Sequence, residues 1–419
     1  MPSIEDTALI ICENPLKMSS KCAKNIITYF KNGGNVLSPM NENGLNSVRG
    51  ICCKNNSKHQ KFWVKQNSSW ITFQGKLTSD LILEQFPQFC KRFSSEEKVI
   101  FTPGFYYSPD GKISLQKCVQ QSKLKLEFIT SDNTSYSLVP SESLLPIYTD
   151  KNEKEAFDFN FYISNLKTRK LGRTLIYVQI INSTFDVLEG NYLEHGLTVI
   201  TDQQLQGRGR GQNKWLSPKG CAMTSFQIKV SLNSRQGQKA SLLQHLTSLA
   251  VVYSLKDKLL LKLKWPNDIY YGAKVKMGGV VVLSSIFKDE MIFNIGLGFN
   301  LDNSKPTLCV NNLLEENHTP KIAREEFFAE FFNCLESFFD MLQTDEGLES
   351  LLNLYHEYWL HQNQQVQILN THGETVQGVV KCIDSDGYLK VELGDGRLES
   401  VQPGNNSFDM MQGLILPKK

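Results

Sequence analysis

The chain has 419 residues, room for about two or three domains, and its 41% hydrophobic and 21% charged side chains are ordinary for a soluble globular protein. A formal net charge of +2 excludes a global field that would select nucleic acid or a membrane surface, so any cationic function has to be local. No apolar run approaches the roughly 20 residues that span a bilayer, so no membrane association is expected.

Residues Met1 to Asp6 include Glu5 and Asp6 but no Lys or Arg, unlike a secretory signal or a mitochondrial transit peptide. A cytoplasmic location is expected, and a mitochondrial form would need an alternative upstream start. The ten cysteines are scattered, only Cys52 and Cys53 adjoin, and no C-x-x-C pair suggests zinc. Reduced, mostly buried thiols are expected.

The first region, residues 1–150, reads as an α/β layer. Ala8 to Cys12 is a short apolar strand that ends at Asn14-Pro15. Ser19 or Ser20 can cap a helix with Ile26, Ile27 and Phe30 on its apolar side. Gly33-Gly34 ends that helix and Val36-Leu37 resumes extended chain. Phe62 to Val64 and Trp70 to Phe73 are further strands. A polar stretch, Thr149 to Glu155, reads as a linker.

The second region, 159–360, mixes strands and helices. Leu175 to Val178, Leu197 to Ile200, Gly279 to Leu283 and Met291 to Ile295 are strand-like. Leu242, Leu246, Leu249 and Tyr253 recur at helical spacing, and Leu259, Leu261 and Leu263 alternate with lysines as a strand does. Phe327, Phe328, Phe331, Leu335, Phe338 and Leu342 form a helical stripe best read as core packing. The third region, 361–419, holds brief strands at Val366 to Leu369, Val376 to Ile383, Tyr388 to Leu393 and Leu398 to Val401. Asp386-Gly387 and Asp395-Gly396 supply hairpin turns between them, the pattern of a small β-barrel.

Three segments carry candidate chemistry. In Gln204 to Pro218, glycines at 207, 209 and 211 free the backbone, and Arg208 and Arg210 supply forked charges that match phosphate or carboxylate oxygens. A solvated turn or an RNA-binding Arg-Gly segment are the competing readings; the flanking strands favour a folded loop that grips an anion. Lys264-Trp265-Pro266-Asn267-Asp268 stops a strand at Pro266. Taken alone it reads as an Asx turn, with Asp268 as a magnesium ligand the alternative. Lys276 precedes Gly278-Gly279 at the entry of a buried strand, either as a surface lysine or as a cation facing a cleft.

In their order along the chain these segments resemble the biotin–protein ligase family. Gln-x-x-Gly-Arg-Gly-Arg-Gly is followed by Trp-x-Ser-Pro-x-Gly, Lys-Trp-Pro-Asn-Asp and Lys-x-Gly-Gly, with Ser183-Thr184 upstream and Gly296 to Asn300 downstream. The likeness covers nearly all of the chain from Phe159 on. Asn406 to Met410 and Leu414 to Lys418 are similar to the animal branch, the holocarboxylase synthetases.

The resemblance implies an α+β fold. It comprises a catalytic domain like that of class II aminoacyl-tRNA synthetases, a C-terminal barrel of Src-homology-3 type, and the N-terminal α/β region. It implies activation of biotin by ATP to biotinyl-5′-AMP with magnesium, then transfer to a lysine of acceptor domains in acetyl-CoA, pyruvate, propionyl-CoA and methylcrotonyl-CoA carboxylases. A monomer with no role on DNA is implied, because no helix-turn-helix is visible. By position, Lys276, Arg210 and Asp268 match the family's catalytic residues, with Asp268 also its metal ligand. Ser183, Thr184, Gln204, Gly207, Arg208, Arg210, Lys276 and Gly279 match its biotin site. Arg208, Arg210, Trp215, Asn267, Lys276 and Asn300 match its adenylate site. Asn213 stands where some bacterial relatives have a basic residue, and Phe185 where many have Asn. A lipoate–protein ligase shares the chemistry without the Gly-Arg-Gly-Arg-Gly loop, and a non-catalytic RNA-binding module is the alternative from another class.

Overall fold

In the computed structural model the chain divides into two compact units, Met1–Val99 and Ile100–Lys419. The described residues are five strands between 9 and 73 and, from 101 onward, all but 110–121, 133–137, 151–156, 212, 304–306, 370–373, 403–405, 410–413 and 418–419.

In the first unit, β1 (Leu9–Ile11) and β2 (Asn35–Pro39) pair in parallel, as a strand–helix–strand start requires. The expected helix between them lies outside the described residues. β3 (Cys52–Asn55), β4 (Lys61–Lys65) and β5 (Ser68–Phe73) complete a sheet of order β1-β2-β5-β4-β3. Phe62 to Val64 and Trp70 to Phe73 therefore fall on strands, as expected.

The boundary expected near residue 150 lies instead at Val99/Ile100. The cause is strand pairing. β6 (Gly104–Tyr107), β7 (Lys125–Ile129) and β8 (Leu144–Tyr148) join the large sheet of the second unit, with β6 antiparallel to β9 (Leu175–Ile181). The junction buries Tyr106, Ile147, Ile176 and Val178 in one apolar cluster.

A short helix α1 (Phe159–Asn165) precedes β9, and α2 (Thr184–Leu188) follows it. Then come β10 (Thr198–Gln204), the two-residue strands β11 (Gly207–Arg208) and β12 (Lys214–Trp215), β13 (Ala222–Ser231) and α3 (Leu243–Ser254). β14 (Leu261–Lys264), β15 (Asp268–Tyr271), β16 (Val275–Phe287) and β17 (Glu290–Phe299) finish a mixed sheet of order β14-β15-β16-β17-β13-β10-β9-β6-β8-β7. α4 (Val310–Glu316), α5 (Arg324–Met341) and α6 (Asp345–Tyr358) follow.

The phenylalanine stripe of α5 is core, not pocket: Phe327, Phe328, Phe331, Phe332 and Leu335 are buried with Phe226 and Leu249. One carboxylate ties α5 to the turn before β9. Glu336 accepts from the backbone N–H groups of Arg169, Lys170 and Leu171 at 2.5, 2.8 and 2.9 Å. Burial pushes its carboxyl up, but the three donors win and hold it below its ordinary value.

The last sheet has the order β21-β20-β19-β18-β23-β22, from β18 (Gln365–Leu369), β19 (Thr375–Ile383), β20 (Leu389–Leu393), β21 (Leu398–Val401), β22 (Asn406–Asp409) and β23 (Leu414–Pro417). Both Asp-Gly turns form, with Gly387 and Gly396 at φ of +78° and +82°, a conformation that favours glycine. β22 and β23 were not legible as strands. Val380, Ile383, Leu389 and Val391 of this sheet share one core with Leu261, Leu263 and Trp265. The third region thus packs on the second, as its entry straight after a helix suggested.

Candidate active site

A cleft opens where the 204–218 loop, the 265–267 turn and strands β16 and β17 converge. Its floor is shaped by an irregularity in β16. Asp268 pairs with Gly279 and Ile269 with Gly278, but Tyr270 pairs with Lys276, so Met277 is an extra residue. Without this bulge Met277 would stand opposite Tyr270. With it, Lys276 falls on the face of β16 that carries Gly279, beside Asp268. Lys276 Nζ then lies 2.7 Å from Asp268 Oδ1. Gly279 leaves room for the pair, since a Cβ there would sit 3.2 Å from Asp268 Oδ1.

The walls depend on alternate glycines in β17. A Cβ on Gly296 would meet Phe185 Cε2 at 2.3 Å, and one on Gly298 would meet Trp215 Nε1 at 2.5 Å. Each glycine therefore seats an aromatic against the sheet. Trp215 also lies under Lys276, whose Nζ is 5.9 Å from its ring centroid. The buried Trp215 Nε1–H has no hydrogen-bond partner among the described residues. It is a donor in search of an acceptor at the cleft wall.

The Arg-Gly loop is folded. β11 and β12 pair antiparallel, Gly209 N–H donates to Asn213 O at 2.7 Å, and Gly211 turns the chain at φ +70°. Its two arginines do different things. Arg208 reaches out of the loop to α2, where it is bridged to Asp186 and, at 2.8 Å, to Glu189. Burial pushes the Asp186 carboxyl above its ordinary value despite that partner. Arg210 points the other way, with Nη1 3.5 Å from Asn267 Oδ1. Burial lowers its pKa, and Asp268 opposes the shift. Asn267 is fixed in turn by Nδ2 donating to Val280 O at 2.6 Å. The described lining residues include Arg208, Arg210, Lys214, Lys264 and Lys276 and one carboxylate, Asp268, and of these cations Arg208 is spent on acids outside the lining. The cleft is thus built for anions although the chain as a whole is nearly neutral.

Ser183, Thr184 and Gln204 come together, but on one another. Gln204 Oε1 accepts from Thr184 N–H at 2.9 Å and Thr184 Oγ1 at 3.1 Å, and its Nε2 donates to Ser217 Oγ at 3.1 Å. Ser183 caps α2 and is nearly sealed at 1% exposure. Thr184 Oγ1 also bonds Ser225 Oγ at 2.6 Å. Of the residues expected at the site, Thr184, Gln204, Arg208, Arg210, Trp215, Asn267, Asp268, Lys276 and Gly279 line the cleft. Ser183, Gly207 and Asn300 do not. Gly207 packs on the backbone of Trp215, and the buried Asn300 accepts from Cys221 Sγ at 3.5 Å.

Phe185, expected in place of a polar pocket residue, lines the cleft, and so do Trp265, Ser225, Gly296 and Gly298, to which sequence reasoning assigned no site role. The alternation Gly296-Leu297-Gly298 was the usable signal, because two glycines on one face of a strand mark a close approach. Magnesium normally takes one or two carboxylates and completes its shell with water and substrate phosphate. One carboxylate on a cationic cleft fits that donor set, and no group of three or more possible metal-ligating side chains occurs among the described residues.

Residues 177–300 match the model of the Biotin/lipoate A/B protein ligase family, and residues 361–410 match that of the Biotin protein ligase C terminal domain. The chain is 36% identical over 318 residues to the biotin–protein ligase of Homo sapiens, across 72% of this chain and 43% of that protein. It is 34% identical over 324 residues to biotin–protein ligase 1, chloroplastic, of Arabidopsis thaliana, across 74% of this chain and 86% of that one. The matched part thus spans less than half of the human relative and most of the plant one. A solved structure, "Biotin protein ligase from Aquifex aeolicus in complex with biotin and ATP", overlays 57% of this chain and 97% of its own at 21% identity. The TM-score of that overlay is 0.46. The identity with the plant protein over most of that protein's length, together with both matched models, places this chain in the biotin–protein ligase family.

Proposed function

We propose that this chain is an ATP-dependent, AMP-forming biotin–protein ligase. In the first step a biotin carboxylate oxygen bonds to the α-phosphorus of ATP and pyrophosphate leaves. In the second a lysine amine bonds to the biotinyl carbonyl carbon, AMP leaves, and the amine gives up a proton. The observation that carries the reading is the cleft's cation excess: Lys276 stands on Asp268 and over the Trp215 ring, and Arg210 reaches from the Arg-Gly loop to the neighbouring Asn267. Joining two anions needs fixed positive charge where negative charge builds on phosphorus.

Lys276 would serve the biotin carboxylate and the α-phosphate, and Arg210 the phosphate. Trp215 and the Gly207–Trp215 hairpin would cover the intermediate and keep water from it, and Gly279 would leave room for the ligand beside Lys276. Thr184 and Gln204 would present the wall for the biotin rings, with Ser183 supporting them from behind, and Asn267 would face the adenylate, with Asn300 buried behind the cleft. Arg208, held by Asp186 and Glu189, would reach the ligand only by exchanging those bridges. Magnesium, when bound, would rest on Asp268 and the phosphates and offset their charge.

The acceptors would be the lysine-bearing domains of acetyl-CoA, pyruvate, propionyl-CoA and methylcrotonyl-CoA carboxylases, met by a monomer in the cytoplasm, with a mitochondrial form from another start. On this reading the large sheet is the class II synthetase type and the last sheet a Src-homology-3-like barrel.

Biotin-dependent exchange of labelled pyrophosphate into ATP, followed by labelling of an apo-carboxylase fragment, tests the whole proposal. Exchange with biotin and none with lipoate is expected. Exchange only with lipoate, or RNA binding without exchange, would overturn it.

A further inference from the structure

The 265–267 turn carries Asn267 at its end and Asp268 just beyond, so whatever fixes that turn fixes two groups in the cleft. One side is held by β16: Val280 N–H donates to Asn267 O at 3.0 Å, and Asn267 Nδ2 donates to Val280 O. The other side is held by residues from beyond α6. Trp265 is 1% exposed, and both of its N–H donors leave the large sheet. Its backbone N–H donates to His361 Nε2 at 2.9 Å, and its indole Nε1–H donates to Gly387 O at 3.0 Å. Just upstream of both residues, Leu360 N–H donates to Leu263 O at 2.9 Å.

His361 can accept at Nε2 only as the tautomer with its proton on Nδ1. Gln364 Oε1, an acceptor, stands 3.0 Å from Nδ1 and selects that tautomer. The ring itself is fully buried. Gly387 approaches so closely that a Cβ there would meet His245 Nε2 at 2.5 Å. Packing alone does not require a tautomer-selected imidazole at this point, since an apolar side chain fills volume equally well. A directed acceptor aimed at one backbone N–H of the turn is a device for setting that turn's position.

We infer that His361 is a positioning residue for the adenylating chemistry: through the Trp265 amide it places Asn267 and Asp268 against Arg210 and Lys276. The inference rests on the ligase reading above. It gives the last sheet a definite task, because the acceptors for Trp265 are the residue that leads into that sheet and a turn within it.

The experiment compares His361→Leu, His361→Gln and Gln364→Leu in the full chain. Leucine has no acceptor, glutamine can offer an amide oxygen, and the third variant leaves the imidazole but frees its tautomer. At a temperature well below each variant's Tm, His361→Leu should lose ten- to a hundredfold in kcat for biotin-dependent pyrophosphate exchange. KM for biotin and ATP should stay within about threefold, because the ligand contacts themselves remain. His361→Gln should regain most of the loss, and Gln364→Leu should fall several-fold. Hydrogen exchange of the 264–268 peptide should quicken in His361→Leu and not elsewhere in the large sheet.

A folded His361→Leu with wild-type kcat, or unchanged protection of that peptide, would overturn the inference. If His361→Leu does not fold, wild-type kcat in Gln364→Leu does the same. Wild-type protein that exchanges no pyrophosphate would defeat the ligase reading instead, and the 264–268 protection would still decide whether His361 holds the turn.

Discussion

Replacing Lys276 with alanine separates a structural from a chemical role by magnitude. The Lys276 and Asp268 side chains are 41% and 20% exposed, so their pair is a partly solvated one. Such pairs contribute about 0–1 kcal/mol to stability. At about 2 cal/mol/K of unfolding entropy per residue, about 1 kcal/mol moves Tm by only about 1–2 °C in a chain this long, so Lys276→Ala should melt within about 2 °C of wild type. The same substitution removes a preorganised cation from the point where charge develops, a loss of about 3 kcal/mol or roughly a hundredfold in rate. It also leaves Asp268 facing the incoming anions with its nearest cation gone, which adds repulsion in the same direction. Initial rates of biotin-dependent pyrophosphate exchange at saturating ATP measure the effect, with circular dichroism and thermal melting as the structural control. Exchange within threefold of wild type would refute the assignment of Lys276 to the reacting phosphate. A large fall in Tm would make the pair structural.

Arg210→Gly should still make the adenylate but release it, because Arg210 is the loop cation that reaches across to Asn267. Free biotinyl-AMP would then biotinylate added bystander proteins, and bystander labelling no higher than wild type would exclude a retaining role. Gly298→Ala should displace the Trp215 indole, since the new Cβ would lie 2.5 Å from Nε1; about 1–3 kcal/mol of destabilisation and a red-shifted tryptophan emission are expected. Glu336→Gln should flatten the acid limb of the stability profile. Its native carboxyl is held below the ordinary 4.5, so its stabilisation is complete above that value and is lost as pH falls through the lower native one. The wild-type Tm should therefore drop more than the variant's on going from pH 7 to pH 4, and equal drops would remove Glu336 from the account.

What the sequence made legible was local. Gly207, Gly209 and Gly211 with their interleaved arginines specify a turn-rich hairpin from neighbours alone, and the leucine–lysine alternation before Pro266 marks where a strand must stop. What stayed hidden depends on partners distant in the chain. No spacing rule says that Met277 is the extra residue of a bulge, because a bulge exists only relative to β15, yet it decides which face Lys276 takes. Arg208 looked equivalent to Arg210, but Asp186 and Glu189, on a helix about twenty residues upstream, capture only the first. Gln204 looked like a ligand contact, and its amide is engaged by Thr184 and Ser217. The strands at 104–107, 144–148 and 125–129 joined the large sheet for the same reason: the first pairs with β9, which begins at Leu175, and the other two add to it in turn.

The charge of the cleft follows the same logic. A net charge of +2 over 419 residues says that cations and anions nearly balance, and it is silent on where they lie. Folding sorts them. Asp186 and Glu189 are spent on Arg208, Asp202 on Arg324, and Glu336 on three backbone amides, while Arg210, Lys214, Lys264 and Lys276 line the cleft that holds Asp268. Charges held in place by a packed scaffold cost no reorganisation when a phosphate arrives, whereas the same lysines and arginines on a mobile surface would be screened and would pay for their ordering. An anionic ligand entering this cleft therefore has one competing carboxylate to displace, and the alternate glycines of β17 let Phe185 and Trp215 draw back against the strand and keep the space open for it.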